Sequence, residues 1–154
     1  MKITQRNATF GDAHLLLSWR NHQSVRGFSL QSELIPIDEH LKWLEGRLKR
    51  VEKEPFYVFE YENEVIGMCR LDLAFKTEEK YELSILVNPN QHSKGLGTKI
   101  LEMSCTSFFT LLPIDSIVAR VKKDNFVSIK LFENAGFSLQ GVVDEVLHFE
   151  KHSN

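Results

Sequence analysis

The stretch VNPNQHSKGLGTKIL, residues 87–101, decides the fold. A β-like apolar run ends at the turn-forming residues 88–90, and the short loop that follows contains Gly95 and Gly97. An apolar pattern of helical spacing begins at Ile100. The N–H groups at the start of a helix carry partial positive charge, and glycine lets a ligand approach the backbone closely. The order of strand, glycine loop and helix therefore predicts a binding site for an anion, with an ordinary turn as the alternative.

Two other phosphate-binding motifs are absent from this loop. Residues 92–98, HSKGLGT, do not contain GxxxxGK[ST], which disfavours a nucleoside triphosphatase. They also lack the full GxGxxG pattern, which disfavours a dinucleotide-binding fold.

Length and composition restrict the class of protein. The 154 residues are 42% hydrophobic and 26% charged, without repeats or linker-like segments, which predicts one soluble globular domain over residues 1–154. The formal net charge of −2 gives no broad attraction for nucleic acid or anionic membranes, so we expect neither as a partner. No apolar signal-peptide segment follows Met1 and no run approaches about 18 apolar residues, which favours a cytoplasmic location.

The cysteines do not suggest a metal site. Cys69 and Cys105 are isolated from each other and from any Cys or His at ligand spacing. We therefore expect two buried thiols and neither a disulfide framework nor bound metal.

Strand-like and helix-like segments alternate along the chain. Apolar alternation and β-rich runs predict strands at residues 2–6, 56–61, 65–73, 80–87, 116–121 and 142–151. Helical spacing predicts helices at residues 14–19, 36–48, 98–111 and 126–134, with a loop or broken helix at 21–35. The order β-α-α-β-β-β-α-β-α-β predicts an α/β fold with a mixed central sheet flanked by helices.

The loop and its flanks resemble the acetyl-CoA signature of the GNAT N-acetyltransferase family. That family commonly shows glutamine or arginine, two residues, glycine, one residue, then glycine or alanine. Gly95 and Gly97 match, whereas His92 stands at the Gln/Arg position and Ser93 stands where glycine is frequent. The resemblance implies the GNAT fold, acetyl-CoA as co-substrate, no metal, and coenzyme contacts from His92, Ser93, Lys94, Gly95, Leu96, Gly97 and Thr98.

A second motif, NFVSIKLFENAGF at residues 125–137, resembles the family's Asn-x-x-Ser helix that ends in Gly-Phe. By resemblance Asn125 and Ser128 contact the pantetheine or phosphate portion of coenzyme A, and Asn125 is also a candidate helix N-cap. Phe132 occupies the coenzyme-contacting position where many relatives carry a proton-donating tyrosine, and phenylalanine cannot donate a proton. We therefore assign no general acid, with Ser128 and Tyr81 as the candidate substitutes.

Acetyl transfer to an amine requires a neutral amine and a stabilised oxyanion. Glu82 is our candidate base, because it lies in the strand YELSILV on the same face as Ser84 and family members often carry a glutamate near this point, acting through water. An exposed strand-end glutamate is the alternative. In the family a bulge in this strand directs a backbone N–H at the thioester carbonyl, which implies Leu86 or Val87.

The acceptor segment is LLLSWRNHQSVRGFS, residues 15–29. Its Trp-Arg-Asn, followed by DEHL at residues 38–41, resembles the bacterial UDP-amino-sugar N-acetyltransferases of the pseudaminic acid (flagellin glycosylation) pathway. The resemblance implies acceptor contacts from Trp19, Arg20, Asn21 and Phe28, with Arg20 and Arg26 as candidates for a diphosphate and the aromatic rings for stacking. Core packing of Trp19 and carboxylate pairing of Arg20 are the alternatives. We expect His22 and His40 to be surface or capping histidines.

The sequence thus predicts an N-acetyltransferase that moves acetyl to a primary amine by direct attack in a ternary complex, with a UDP-amino sugar as acceptor. A protein N-terminal acetyltransferase of the ribosomal-protein type is one alternative, because an α-amine of pKa about 8 also suits a weak base better than lysine at about 10.4. A non-catalytic acetyl-CoA-binding domain is another, because Phe132 and His92 depart from the family pattern. Dimers are common in such folds, so a homodimer is a further expectation.

Overall fold

Seven strands form one mixed sheet in the computed structural model, which describes residues 2–30, 32–73, 80–91 and 95–154. The strands are β1 (Thr4–Asn7), β2 (Phe56–Tyr61), β3 (Glu64–Leu73), β4 (Tyr81–Val87), β5 (Ser116–Lys122), β6 (Ser138–Val143) and β7 (Val146–His152). Their order in the sheet is β1-β2-β3-β4-β5-β7-β6. The pair β4–β5 is parallel, and the other neighbouring pairs are antiparallel.

Helices cover both faces of this sheet. They are α1 (Ala13–Arg20), α2 (Gln23–Arg26), α3 (Ile37–Leu48), α4 (Leu96–Leu111) and α5 (Phe126–Asn134), with 3-10 turns at Phe10–Asp12 and Pro89–Gln91. Side chains alternate along β2, so that Phe56 and Val58 pack with α1 and α3 while Tyr57 and Phe59 pack with α4 and α5. Among the described residues no helix is both long enough and apolar enough to cross a membrane.

The predicted α/β class, with a mixed sheet between helices, is confirmed. The single last strand predicted at 142–151 is wrong, because the chain forms β6 and β7 there as a hairpin. Asp144 and Glu145 make the turn with φ values of 50° and 67°. Hairpin turns of this kind usually carry Gly or Asn at such positions, and neither residue is present to mark the turn in the sequence. Within the predicted broken helix at 21–35, α2 is the helical part.

One glycine sets how closely α4 approaches the sheet. A Cβ atom on Gly67 in β3 would lie 2.6 Å from Ile100 Cδ1 and 2.8 Å from the Leu86 carbonyl oxygen. No side chain fits into that gap without displacing α4 or β4. Gly67 therefore leaves room for Ile100 of α4 to pack against the sheet and for the Leu86 backbone of β4 to lie close to β3.

Candidate active site

The parallel strands β4 and β5 separate after their first residues. Their register covers two positions, Tyr81 with Ile117 and Glu82 with Val118. Beyond these positions β4 continues to pair with β3 as far as Val87, and β5 continues to pair with β7 as far as Lys122. The sheet therefore opens into a cleft toward the carboxyl ends of β4 and β5, which is where open α/β sheets bind ligands.

The N-termini of two helices flank the open end of this cleft. The N-cap of α4 is Gly95, whose φ of 72° is left-handed and suits glycine. A Cβ atom on Gly97 would lie 3.4 Å from Val87 Cγ2 and 3.6 Å from Leu131 Cδ2, so α4, β4 and α5 meet at this residue. The first turn of α4 offers backbone N–H groups to an anion, as the glycine loop predicts.

The predicted coenzyme contacts at this turn divide into two groups. Gly95, Gly97 and Thr98 lie at the helix start, where Leu96 is 2% exposed and offers backbone groups only. His92, Ser93 and Lys94 lie outside the described residues, so their roles stay predictions.

Asn125 forms the N-cap of α5. Its Oδ1 accepts a hydrogen bond from the Ser128 N–H at 3.2 Å. The capping role proposed for Asn125 is therefore confirmed, and coenzyme contacts from Asn125 and Ser128 stay predictions.

Phe132 belongs to the hydrophobic core. Its ring packs edge-on against Phe137 with centroids 5.0 Å apart, stacks on Phe149 at 6.1 Å, and is 4% exposed. Burial between these two rings explains why residue 132 is a phenylalanine. The contact of Phe132 with coenzyme A stays a prediction. Tyr81, one candidate substitute donor, packs into the same cluster on the sheet face opposite to Glu82.

Glu82 forms an ion pair across the point where β4 and β5 separate. Arg120 Nε donates to Glu82 Oε1 at 2.7 Å and to Oε2 at 3.1 Å. Because Glu82 occupies the last paired position of β4 and Arg120 lies two residues beyond Val118, the pair spans the base of the cleft. The Glu82 side chain is 20% exposed, so it is not the free strand-end glutamate of the alternative interpretation.

The prediction of a bulge in β4 is wrong, because β4 pairs regularly with β3. The register between β3 and β4 runs from Leu73 with Tyr81 to Gly67 with Val87 without a shift. The cleft opens because β4 and β5 diverge, and β4 contains no bulge against β3. The side chains of Leu86 and Val87 pack on opposite faces, and their backbone role toward a thioester stays a prediction.

In addition to the cleft between β4 and β5, a cavity of about 160 Å³ lies on the α1/α3 face of the sheet. It is lined by Arg20, Ile35, Glu39, His40, Trp43 and Arg70. The Cζ atoms of Arg20 and Arg70 lie 5.5 and 5.1 Å from the Trp43 ring centroid, within cation–π range. Arg70 pairs with Ser84, two residues from Glu82 on β4, and such diagonal neighbours are roughly 7–8 Å apart. Glu82 itself pairs with Asp72, which binds Arg70, so one carboxylate separates the candidate base from this cavity-lining arginine.

Buried charges hold Arg70 in place. Asp72 accepts hydrogen bonds from Arg70 Nη1 and, at 2.8 Å, from Arg47 Nε. Arg47 is fully buried and also donates to the carbonyl oxygens of Glu54, Pro55 and Leu71. The buried Arg47 therefore orients the Asp72 carboxylate, and Asp72 in turn orients Arg70.

The acceptor residues predicted from sequence have different environments. Arg20 lines the cavity, and Phe28 is 46% exposed. Trp19 is 3% exposed and packs in the core with Leu16 and Phe56, so its ring is covered by protein, as in the packing alternative. Asn21 binds the backbone N–H and C=O of Ile35 at 2.9 and 3.1 Å, which uses its amide to hold the 21–35 connection.

The remaining histidines and cysteines have structural environments. His22 caps α2 by accepting from the Ser24 N–H, as predicted, whereas His40 is buried rather than a surface residue. Both thiols are buried as expected, and burial raises the pKa of Cys105 to about 11, so neither is a ready nucleophile. The described part of the chain contains no group of three or more His, Cys, Asp or Glu that could hold a metal ion.

A sheet that opens between two parallel strands, with helix N-termini at the opening and a carboxylate at its base, defines a site for a phosphate-bearing ligand or coenzyme. A family model described as Acetyltransferase (GNAT) domain matches residues 2–138, so the chain belongs to the GNAT acetyltransferase family. The protein is an N-acetyltransferase that uses acetyl-CoA as its co-substrate.

Two curated relatives and one solved structure show how the chain compares within this family. Acetyltransferase PseH of Campylobacter jejuni subsp. jejuni serotype O:23/36 is 28% identical over 128 residues, covering 83% of this chain and 78% of the relative. Spermidine N(1)-acetyltransferase of Escherichia coli K12 is 27% identical over 97 residues, covering 63% of this chain and 50% of the relative.

The structural likeness extends over the whole fold. AAC(6')-Ib in complex with paromomycin and acetyl-CoA superimposes with a TM-score of 0.85 at 20% identity, covering 99% of this chain and 94% of that chain. At this identity the likeness supports the fold alone.

Proposed function

We propose that this protein transfers the acetyl group of acetyl-CoA to the primary amine of a nucleotide-linked amino sugar, by direct attack in a ternary complex. The observation that carries the proposal is the position of Glu82 at the base of the β4–β5 cleft, on the same face of the sheet as the cavity and opposite Asp72, which binds the cavity-lining Arg70. This position gives one carboxylate access to a thioester in the cleft and to an amine that enters from the cavity side.

The likeness to acetyltransferase PseH supports the acceptor class, together with the Trp-Arg-Asn segment at residues 19–21. Spermidine is the acceptor printed in another relative's name, and a polycation does not suit a cavity lined by Arg20 and Arg70. The basic cavity therefore favours an acceptor that carries negative charge.

In the proposed reaction the N-termini of α4 and α5 bind the phosphate end of acetyl-CoA, and the pantetheine arm lies in the cleft. Glu82 removes a proton from the acceptor ammonium through a water molecule, and the neutral amine attacks the thioester carbonyl. The C–N bond forms as the tetrahedral intermediate develops, the attacking nitrogen then loses its second proton to water, and the C–S bond breaks to leave the neutral amide. A thiol of pKa about 8.5 is a tolerable leaving group near neutrality, so the thiolate leaves and takes a proton from water.

Arg120 serves this reaction by positioning Glu82. Both oxygens of the carboxylate lie within hydrogen-bond distance of Arg120 Nε, which restricts rotation of the side chain. The pair therefore holds the base in one orientation at the strand separation.

The proposal is tested by following free-thiol release from acetyl-CoA with a panel of acceptors: UDP-4-amino sugars, peptides with free N-termini, and polyamines. Turnover confined to the UDP-amino sugars is expected. Turnover on peptide N-termini alone would instead support the protein N-terminal acetyltransferase. Acetyl-CoA binding without thiol release on any amine of the panel would contradict the proposed acceptor class.

A further inference from the structure

The cavity on the α1/α3 face contains an excess of positive charge. Two guanidinium groups line it, Arg20 and Arg70, against one carboxylate, that of Glu39, which is exposed. Arg70 is ion-paired to Asp72, whereas Arg20 makes no salt bridge with any carboxylate in the described part of the chain. Burial lowers the pKa of Arg20, and the nearby charge of Arg70 lowers it further, with Glu39 opposing. An anion between the two arginines would relieve this repulsion.

His40 adds a hydrogen-bond acceptor that lacks a partner. Its side chain is almost fully buried, and Nε2 lies 2.9 Å from the Ala13 carbonyl oxygen, so Nε2 carries the ring proton. The Nδ1 atom is then a lone-pair acceptor, and it has no hydrogen-bond partner among the described residues. Burial lowers the pKa of His40, and the charges of Arg20 and His14 lower it further. The hydrogen bond to Ala13 acts in the opposite direction and raises this pKa. The Nδ1 atom is itself covered by protein, so His40 contributes a neutral, buried wall to the cavity rather than a contact that a ligand reaches directly.

The volume of the cavity limits what it can hold. At about 160 Å³ it is smaller than sites for whole small-molecule ligands, which span roughly 300–1,000 Å³. One water occupies about 30 Å³ of liquid, so the space accommodates a phosphate-sized group with one neighbouring hydroxyl or amide. The rest of an acceptor would remain outside, toward Glu82.

We propose that this cavity is a subsite for a phosphate-type anion of the acceptor, bound by Arg20 and Arg70. The inference rests on the proposed function and names the chemistry by which the acceptor is chosen. Arg47 and Asp72 are positioning residues for Arg70 in this subsite. The acceptor is thereby held by its phosphate while its amine lies near Glu82, and polycationic amines are repelled.

The first experiment measures binding of inorganic pyrophosphate by calorimetry to protein saturated with coenzyme A, so that the coenzyme's own phosphate site is filled. Arg20→Met and Arg70→Met should each weaken pyrophosphate binding about tenfold or more, as expected for loss of a charged hydrogen-bond donor. Arg50→Met is the matched control, because Arg50 is 52% exposed and pairs with Glu54 on the surface. Pyrophosphate binding that is equal in wild type and both cavity variants would overturn the subsite.

The second experiment compares acetylation of a UDP-4-amino sugar with acetylation of the same amino sugar lacking the nucleotide. The wild type should prefer the nucleotide-linked acceptor in kcat/KM, and both cavity variants should reduce this preference about tenfold through KM. An unchanged preference in the variants would overturn the subsite. Failure of the wild type to acetylate either sugar would contradict the proposed function, while the pyrophosphate measurement would still decide the anion site.

Discussion

Arg120 Nε and the carboxylate of Glu82 lie within hydrogen-bond distance, at 2.7 and 3.1 Å to the two oxygens, across the place where β4 and β5 separate. The two residues come from strands whose backbones no longer pair beyond this level. Their contact lies on the face of the sheet that also contains the cavity lined by Arg20 and Arg70. This relationship makes the pair the natural target for mutation.

Glu82→Gln should lower kcat by about 10²–10⁴, the range expected for loss of a general base. The residual rate should rise with pH, because the acceptor amine then loses its proton without help. Steady-state kinetics across pH test this expectation. Glu60→Gln is the matched control, because Glu60 is also ion-paired to an arginine, Arg6, on a strand away from the cleft. A Glu82→Gln enzyme with the wild-type kcat and pH profile would show that Glu82 is not the base.

Arg120→Met should lower kcat about tenfold while the KM for acetyl-CoA changes little, because it frees the Glu82 side chain without altering the coenzyme site. Arg120→Lys should recover part of the loss, since a cation remains. The pair is partly exposed, so the free energy of unfolding should fall by no more than about 1 kcal/mol. Equal kcat losses in Met and Lys variants, in step with a large loss of stability, would indicate a purely structural role.

Gly95→Ala should destabilise the start of α4, because φ at this residue is 72° and a Cβ costs about 1–2 kcal/mol in the left-handed region. Apart from its chain neighbours, no atom of the described residues lies within 4 Å of the added Cβ, so among these residues the cost is conformational rather than steric. Gly95→Asn should cost less, since asparagine tolerates this region. Urea unfolding and acetyl-CoA affinity measure both effects. Equal affinity and stability in all three proteins would contradict the position given to Gly95.

His40 should make stability depend on pH. Its pKa in the folded protein is lowered from 6.5 by burial and by the charges of Arg20 and His14. Below about pH 6.5 the unfolded chain therefore binds a proton that the folded chain does not, so this contribution to stability is lost as pH falls, by at most about 1.4 kcal/mol per pH unit.

His40→Gln removes this titration and retains a donor for the Ala13 carbonyl. Between about pH 7.5 and about pH 5.5 the wild type should lose more unfolding free energy than this variant in urea titrations. Parallel losses in the two proteins would show that His40 does not control the acid dependence.

Local sequence patterns were sufficient for most of the fold and for the helix starts at Gly95 and Asn125. The glycine loop and the Asn125 cap depend on neighbours a few residues away, so their signals are contained in short motifs. The β6–β7 hairpin was missed because Asp144 and Glu145 make its turn without glycine or asparagine.

The cavity on the α1/α3 face could not be derived in the same way. Arg70, Trp43 and His40 come from two elements, and the tertiary packing of α3 on β3 brings them together. Nothing local distinguishes a cavity-lining arginine such as Arg70 from the buried Arg47, which binds backbone carbonyls and Asp72. The role of Arg120 likewise depends on the separation of β4 from β5, which no spacing in the sequence encodes.

The most direct measurement incubates the protein with acetyl-CoA and a UDP-4-amino sugar and quantifies both products, the thiol of coenzyme A and the N-acetylated nucleotide sugar by mass spectrometry. We predict equal amounts of the two products from the wild type, formed much more slowly by Glu82→Gln. Release of the thiol without acetylated sugar, or equal rates from wild type and Glu82→Gln, would contradict acetyl transfer to this acceptor at the site formed by Glu82 and Arg120.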